Sequence, residues 1–199
     1  MPIIENHESF LNRFKLRMPD NDFRLLNLAY KQAKYGHRDE EGDQKRQSGE
    51  RYFEHPRNVT LILADELNVT DVSILIPSML HDIPEDSFIL DFWDIEHIFG
   101  SETSEILKLL TKPKVKEEEK EEAYKKYFYD ILHWGYKVIL IKLADRLHNL
   151  RTLGACSKED AEKKKEETKK YIIPMIQRLS FDLGGIANFF TKEISIFLK

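Results

Sequence analysis

Cysteine is nearly missing from this chain. Cys156 stands alone among 199 residues, so no internal disulfide can form and a reducing, cytoplasmic setting is the simplest expectation. Glycine and proline are sparse as well, with 8 and 7 residues, which excludes collagen-like and low-complexity chains. No apolar run approaches the ~18–20 residues that cross a bilayer, and the N-terminal MPIIENHESF lacks the basic-then-apolar order of a secretory signal. A basic excess is also lacking. Lys+Arg 31 against Asp+Glu 35 leaves a net charge of -4, which argues against a general nucleic-acid binder. The sequence has no Walker-type phosphate loop, no GxGxxG and no nucleophile elbow, and Cys156 has no evident activating partner.

What is present describes a globular chain. Hydrophobic residues make up 41% and charged residues 33%, and the length suits one domain over residues 1–199 with a core of its own. No repeat recurs at a fixed period. The pattern is helical nearly throughout. Phe23, Leu26, Ala29 and Ala33 share a helical face, which predicts a helix over 22–35. A loop rich in glycine and charge follows over 36–50. Pro56 opens the next helix. Residues 71–82 form an apolar helix with Asp71 as N-cap. Two shorter helices, 91–99 and 101–111, are split by Gly100. The charged run 112–134 reads as an exposed helix supported by i,i+4 pairs. Helices over 136–153, 158–181 and 186–198 complete the chain, and no strand or hairpin signal is convincing. The fold class expected is all-α.

Two segments place ionisable residues in apolar surroundings. The first is His81-Asp82-Ile83-Pro84-Glu85-Asp86, which follows the apolar Leu75–Leu80. Helical spacing pairs His81 with Glu85 and Asp82 with Asp86. Carboxylates so crowded repel one another unless protons or a cation neutralise them, and imidazole with carboxylate is a natural divalent-metal set. Pro84 marks a helix end near this point, so the second pair can sit on a turn. The second segment is Val138–Asn149, where Lys142, Asp145, Asn149 and Thr152 form one polar stripe on an otherwise apolar helix. Such a stripe is either a solvent face or the wall of a site, and spacing alone does not choose. His55 is a candidate ligand only by association. His37 sits at a helix end, where an imidazole often caps carbonyls, and His7, His97 and His133 read as ordinary.

His55, then His81-Asp82, then Asp145 is the ordered pattern of the HD phosphohydrolase superfamily. RQSGERYFEHP at 46–56, LHDIPEDS at 80–87 and IKLADRLHNLRTL at 141–153 resemble the hydrolase domain of the RelA/SpoT homologues. The weaker EETKKYIIPMIQRLS at 166–180, FG at 99–100 and LTK at 110–112 also fall where that family has them. The likeness spans about residues 24–181. It implies an all-helical HD-domain fold and a Mn2+-dependent enzyme that removes the 3′-pyrophosphate of (p)ppGpp. It assigns His55, His81, Asp82 and Asp145 as ligands of one Mn2+, and Glu85 and Asp86 as the acidic pair that activates or positions the attacking water. Arg46 matches the arginine that packs on the guanine. Ser48, Lys142, Asn149 and Thr152 match positions near base, ribose and phosphates, and Tyr171 a nucleotide-contacting tyrosine. The partner implied is a small nucleotide, with no nucleic acid and no membrane.

The chain departs from the family pattern in the longer stretch between His37 and Arg46, in Pro84 and in Gln47. It ends at Lys199 without a synthetase domain, so the expectation is a stand-alone small alarmone hydrolase. The same residues also fit an adenine alarmone or the 2′-phosphate of NADPH as substrate, since an arginine stacks on any base. A nucleotide-binding module without turnover is the reading from another class.

Overall fold

In the computed structural model, which describes residues 6–39, 42–47, 49–87 and 89–199, helix starts follow local chemistry. Asn6 caps α1 (His7–Asn12) by accepting the Ser9 N–H at 2.9 Å, and Ser9 Oγ accepts the Asn6 N–H in return. In α2 (Asp20–Gly36), Asp20 and Asp22 lie in the first turn and Lys34 in the last, each matched to the helix dipole. Two short strands follow, β1 (Arg38–Asp39) and β2 (Gly42–Asp43), paired antiparallel with Arg38 opposite Asp43. α3 (Glu54–Leu61) runs on into a π-helical turn over Ile62–Glu66. α4 (Val72–Leu80) starts where Asp71 accepts the Ser73 N–H at 2.9 Å, and α5 (Ile83–Asp86) is a single turn. Asp91 caps α6 (Phe92–Phe99). Gly100, at φ 93°, turns the chain into α7 (Ser101–Leu110) in a conformation that a side chain would strain. The remaining helices are α8 (Lys120–Trp134), α9 (Tyr136–Arg151), α10 (Lys158–Glu167), α11 (Ile173–Ser180) and α12 (Gly184–Ser195).

The core is built around α9, which packs against α3, α4, α7, α8, α11 and α12. Twelve of its sixteen residues are buried, among them Lys142, Asp145, Arg146 and His148 beside the apolar majority. Leu143 and Leu147 are fully enclosed, and burial of such a side chain contributes about 1.5–3 kcal/mol. α4 is as deeply placed, with Ile74 through Leu80 all buried. α3 lies against both, and the hydroxyls of Thr60 and Ser78 meet at 2.9 Å across the α3–α4 contact. These three helices therefore form a rigid frame around the segments that hold the ionisable residues. Among the described residues no helix is long and apolar enough to cross a membrane.

The chain is all-α as expected, with local differences. The loop after α2 holds the small β1–β2 ribbon, which the sequence did not signal. Residues 112–116 are not helical. Pro113 favours extended backbone before it, so regular helix starts only at Lys120, after a 3₁₀ turn over Glu117–Glu119. The helix expected over 158–181 is divided by a π-helical turn at Thr168–Ile172. Pro174 follows at once and has no N–H to continue the α ladder. α3 begins at Glu54, so Pro56 is its third residue rather than its first.

Candidate metal centre and cleft

α3 supplies His55, the turn between α4 and α5 supplies His81 and Asp82, and α9 supplies Asp145. The frame brings them together. His55, His81 and Asp82 each offer a ligand atom within 4.8 Å of the others. His55 Nε2 and His81 Nε2 are 3.3 Å apart. Asp145 Oδ1 lies 3.2 Å from His55 Nε2 and 4.0 Å from His81 Nε2, and Asp82 Oδ1 lies 3.2 Å from His81 Nε2. His81 Nδ1 donates to the Ser78 carbonyl at 2.8 Å, so its Nε2 presents a lone pair to the cluster. Asp82 Oδ2 is buried, accepts no hydrogen bond, and has His55 Nε2 at 3.6 Å.

Facing lone pairs and an orphaned buried carboxylate oxygen call for a cation or a proton among them. Two imidazole nitrogens and two carboxylates are a donor set for a divalent transition metal, so these residues fit one. Burial disfavours charge on both carboxyl groups but is outweighed. Lys142 and the hydrogen bond from His55 hold Asp145 well below the usual carboxylate range, and His81 and His55 lower Asp82. Burial pushes the imidazole of His55 down, favouring its neutral, ligating form.

The cluster lies at one end of a cleft of about 180 Å³. The stripe on α9 is the wall of this site. Lys142 Nζ donates to Asp145 Oδ2 at 3.0 Å, and Asn149 Nδ2 donates to Asp145 Oδ1 at 2.6 Å. Arg46, from the loop after β2, reaches across to donate to Asn149 Oδ1 at 2.7 Å. Glu85 lines the cleft and accepts the Lys112 N–H at 2.7 Å, and burial raises its pKa. Asp86, by contrast, is exposed and sits beside the Tyr52 hydroxyl. Arg46, Tyr52 and Lys164 line both the cleft and an outer hollow of about 330 Å³. Thr152 lines that hollow, its hydroxyl donating to the His148 and Asn149 carbonyls. Cys156 is there too, with Lys164 Nζ 3.1 Å from its sulfur, a neighbour the sequence did not reveal.

Two expected contacts stand apart. Tyr171 stacks on Phe128 of α8 at 4.2 Å between ring centroids and is not among the residues that line the cleft. Ser48 lies outside the described residues. His37 caps no carbonyl with its ring: it is buried, stacked on Tyr52 at 4.7 Å, and both ring nitrogens lack hydrogen-bond partners. His7 bonds Asn27, and His97 and His133 bond the carbonyls of Trp93 and Tyr129 one turn back, all away from the cleft.

Several cleft residues escaped the sequence reading. His148 contacts His55, Arg46 and Asn58 at once. Its signal was a position three residues after Asp145, on the same helical face. Tyr52 stands three residues before His55, in the turn that leads into α3. Lys112 belongs to the LTK segment at 110–112, but it holds Glu85 through its backbone N–H, a role side-chain pattern does not announce, and Lys164 sits in a charge-rich helix without a signal.

A family model for the HD domain matches residues 29–180. The chain is 35% identical over 176 residues to the bifunctional (p)ppGpp synthase/hydrolase SpoT of Escherichia coli K12, covering 86% of this chain and 24% of that protein. It is 36% identical over 174 residues to the GTP pyrophosphokinase rsh of Brucella ovis, covering 85% of this chain and 22% of that one. The chain thus spans about a quarter of the length of these curated relatives. Among solved structures, a metazoan ortholog of SpoT described as hydrolysing ppGpp superposes with a TM-score of 0.70 at 23% identity, over 92% of this chain and 99% of that one. The protein lmo0812 of Listeria monocytogenes EGD-e superposes at 0.55 and 22% identity, over 76% of this chain. These likenesses establish the fold.

Proposed function

The chain belongs to the HD domain family, and from that premise we propose that it is a divalent-metal-dependent hydrolase that removes the 3′-pyrophosphate of (p)ppGpp. The observation that carries this reading is the cleft itself. Ligand-type side chains converge at one end, a half-buried carboxylate stands on the wall, and cationic side chains line the rest. The identity to SpoT and rsh proteins supports the nucleotide class. Residues 1–199 act as one catalytic domain in this reading, in a reducing cytoplasm.

His55, His81, Asp82 and Asp145 would hold the ion, which in this proposal is Mn2+. When bound, such an ion lowers the pKa of water and polarises a phosphoryl oxygen. Glu85 accepts the proton of the attacking water. Its raised pKa makes it a stronger base than an exposed glutamate, and the Lys112 N–H orients one of its oxygens. Asp86, exposed beside Tyr52, is an orienting group at the cleft edge. The water oxygen bonds the 3′-linked phosphorus, the ribose O3′–phosphorus bond breaks, and O3′ takes up a proton. Pyrophosphate leaves, and GDP or GTP remains.

Lys142 offsets phosphate charge at the cleft floor. Arg46 is anchored by Asn149 through one guanidinium edge, which leaves its planar face for a purine. Lys45 and Lys164 line the outer hollow, where a second phosphate group fits their charge.

The test is product release from ppGpp by metal-free protein, with and without Mn2+, beside Asp82→Ala. Metal-dependent GDP and pyrophosphate, lost in the variant, is the expected result. Folded, Mn2+-loaded protein that yields no product would sink the reading. Rates on pppApp and NADPH, measured in parallel, separate substrate preference from chemistry, and ppGpp binding without product would indicate a binding module.

A further inference from the structure

We propose that the ion pair between Arg146 and Glu167 is a clasp that positions Lys164, and through it the substrate phosphate group that lies away from the metal cluster. The proposal deepens the hydrolase reading and rests on it for the identity of that phosphate group. It starts from a helix with no apolar reason to be where it is. α10 is polar all round, none of its ten residues is buried, and it packs chiefly on the π-helical turn that continues it. A helix of that kind needs polar contacts to hold it against the body. Lys164 of α10 nevertheless lines both the cleft and the outer hollow, so this helix is a wall of the site.

Arg146 of α9 supplies the contact. Its Nη1 donates to the Lys164 carbonyl at 3.3 Å, and its Nη2 lies 2.8 Å from Glu167 Oε1. One planar guanidinium thus grips two positions of α10, a fork that a lysine ammonium does not present. The Thr168 hydroxyl donates to the same Lys164 carbonyl at 2.6 Å, so the backbone under Lys164 is held from two sides. The Arg146 side chain is only 5% exposed, and its Nε is buried without a hydrogen-bond partner. Removal of the carboxylate from such a pair leaves an uncompensated buried charge. Glu167 gains nothing from its own helix, because it lies in the last turn of α10, where the dipole favours cations. Arg146 accounts for its place.

Arg146 directly follows Asp145 on α9, so the clasp holds α10 at a fixed reach from the cluster. Lys45 lines the same outer hollow as Lys164. A nucleotide with phosphate groups at two positions spans this reach, one group at the cluster and the other at Lys164. Arg146 and Glu167 are therefore positioning residues that act on the substrate through Lys164.

Two measurements test this. The first is hydrogen exchange in metal-free protein, which reads local opening without any ligand. Glu167→Ala is expected to raise exchange in α10 far more than in α4 and α9. Unchanged exchange in α10, or a rise by the same factor throughout the chain, overturns the clasp. The second is a double-mutant cycle on KM for ppGpp. Glu167→Ala and Lys164→Ala are each expected to raise KM about 10-fold with kcat little changed, the effect of losing one charge-assisted hydrogen bond made equally in ground and transition states. With Lys164 already alanine, Glu167→Ala is expected to raise KM no further. A full additional rise would show that Glu167 acts on something other than Lys164, and defeats the proposal while leaving the hydrolase reading intact. Should Glu167→Ala not fold, Glu167→Gln, which keeps the shape and loses the charge, takes its place in both measurements with the same signs expected. Wild-type protein that neither binds nor turns over ppGpp defeats the hydrolase reading itself, and the substrate role of Lys164 falls with it.

Discussion

His37 shows how a buried imidazole without partners affects the fold. Burial drives its pKa down to about 4, with Asp82 and Asp86 pulling weakly the other way. Unfolded, the same group titrates near 6.5. Between those values the unfolded chain binds the extra proton, so stability is fully present above pH 6.5 and declines as the pH falls toward 4. The loss amounts to about 3 kcal/mol by pH 4, from roughly 1.4 kcal/mol per pKa unit. In urea unfolding of metal-free protein at pH 6.5 and 4.5, His37→Leu is therefore expected to lose less stability on acidification than wild type. An equal loss in both proteins would show that the proton is taken up elsewhere. Glu85 and Asp86 differ on the same physical grounds. Adjacent in sequence, one is half-buried on the cleft wall, where burial raises its pKa, and the other faces solvent.

At the scale of elements, the turn between α4 and α5 matters most. α4 stops at Leu80, and His81 and Asp82 occupy the corner before the single turn of α5. Pro84 sits at the second position of α5, where its missing N–H has no helical acceptor to lose. Glu85 consequently still reaches the cleft. The C-terminal end of α2 holds this turn from behind. A Cβ on Gly36 would collide with the fully buried Ile83 side chain and come within 2.9 Å of Ser87 Oγ. Gly36→Ala is thus expected to cost about 1–3 kcal/mol, the usual range for overpacking, despite the better helix propensity of alanine. It also displaces the turn that carries Glu85. Thermal unfolding reads the first effect, and unchanged Tm would show that α5 yields without strain.

For the whole molecule, the cluster joins α3, α4–α5 and α9, so a cation there ties distant parts of the chain together. A metal that binds only the folded state stabilises it by mass action, about 2.7 kcal/mol at one hundred times its Kd. Mn2+ at that level is expected to raise Tm by roughly 5–10 °C in a chain of this size, and chelator to reverse it. Asp145→Asn removes one carboxylate charge from the cluster and leaves buried Lys142 without its carboxylate partner, so its Tm is expected to fall and to respond weakly to Mn2+. A full response in that variant would place the ion elsewhere.

Some of this architecture is legible in the residues alone. Helical periodicity and caps such as Asp71 are local, and they announced an all-α chain, the start of α4 and the break at Gly100. α9 read as an apolar helix with one polar stripe, and the family resemblance singled out His55, His81, Asp82 and Asp145. Other features depend on how distant segments pack. Spacing could not say whether the stripe of Lys142, Asp145 and Asn149 faced water or a site; the approach of Arg46 and the α3–α4 frame made it a wall. His148 was passed over in the sequence, and only the fold brings His55 and Arg46, from elsewhere in the chain, onto its Nδ1. Tyr171 fell within a family-like segment, yet its ring packs on Phe128 of α8, a contact between distant segments that no local pattern announces. Local sequence determines the periodicity of a helix and the chemistry it carries. Which atoms of different helices share a buried volume, and so which lone pairs must be neutralised, is decided only when the tertiary fold excludes water from between them.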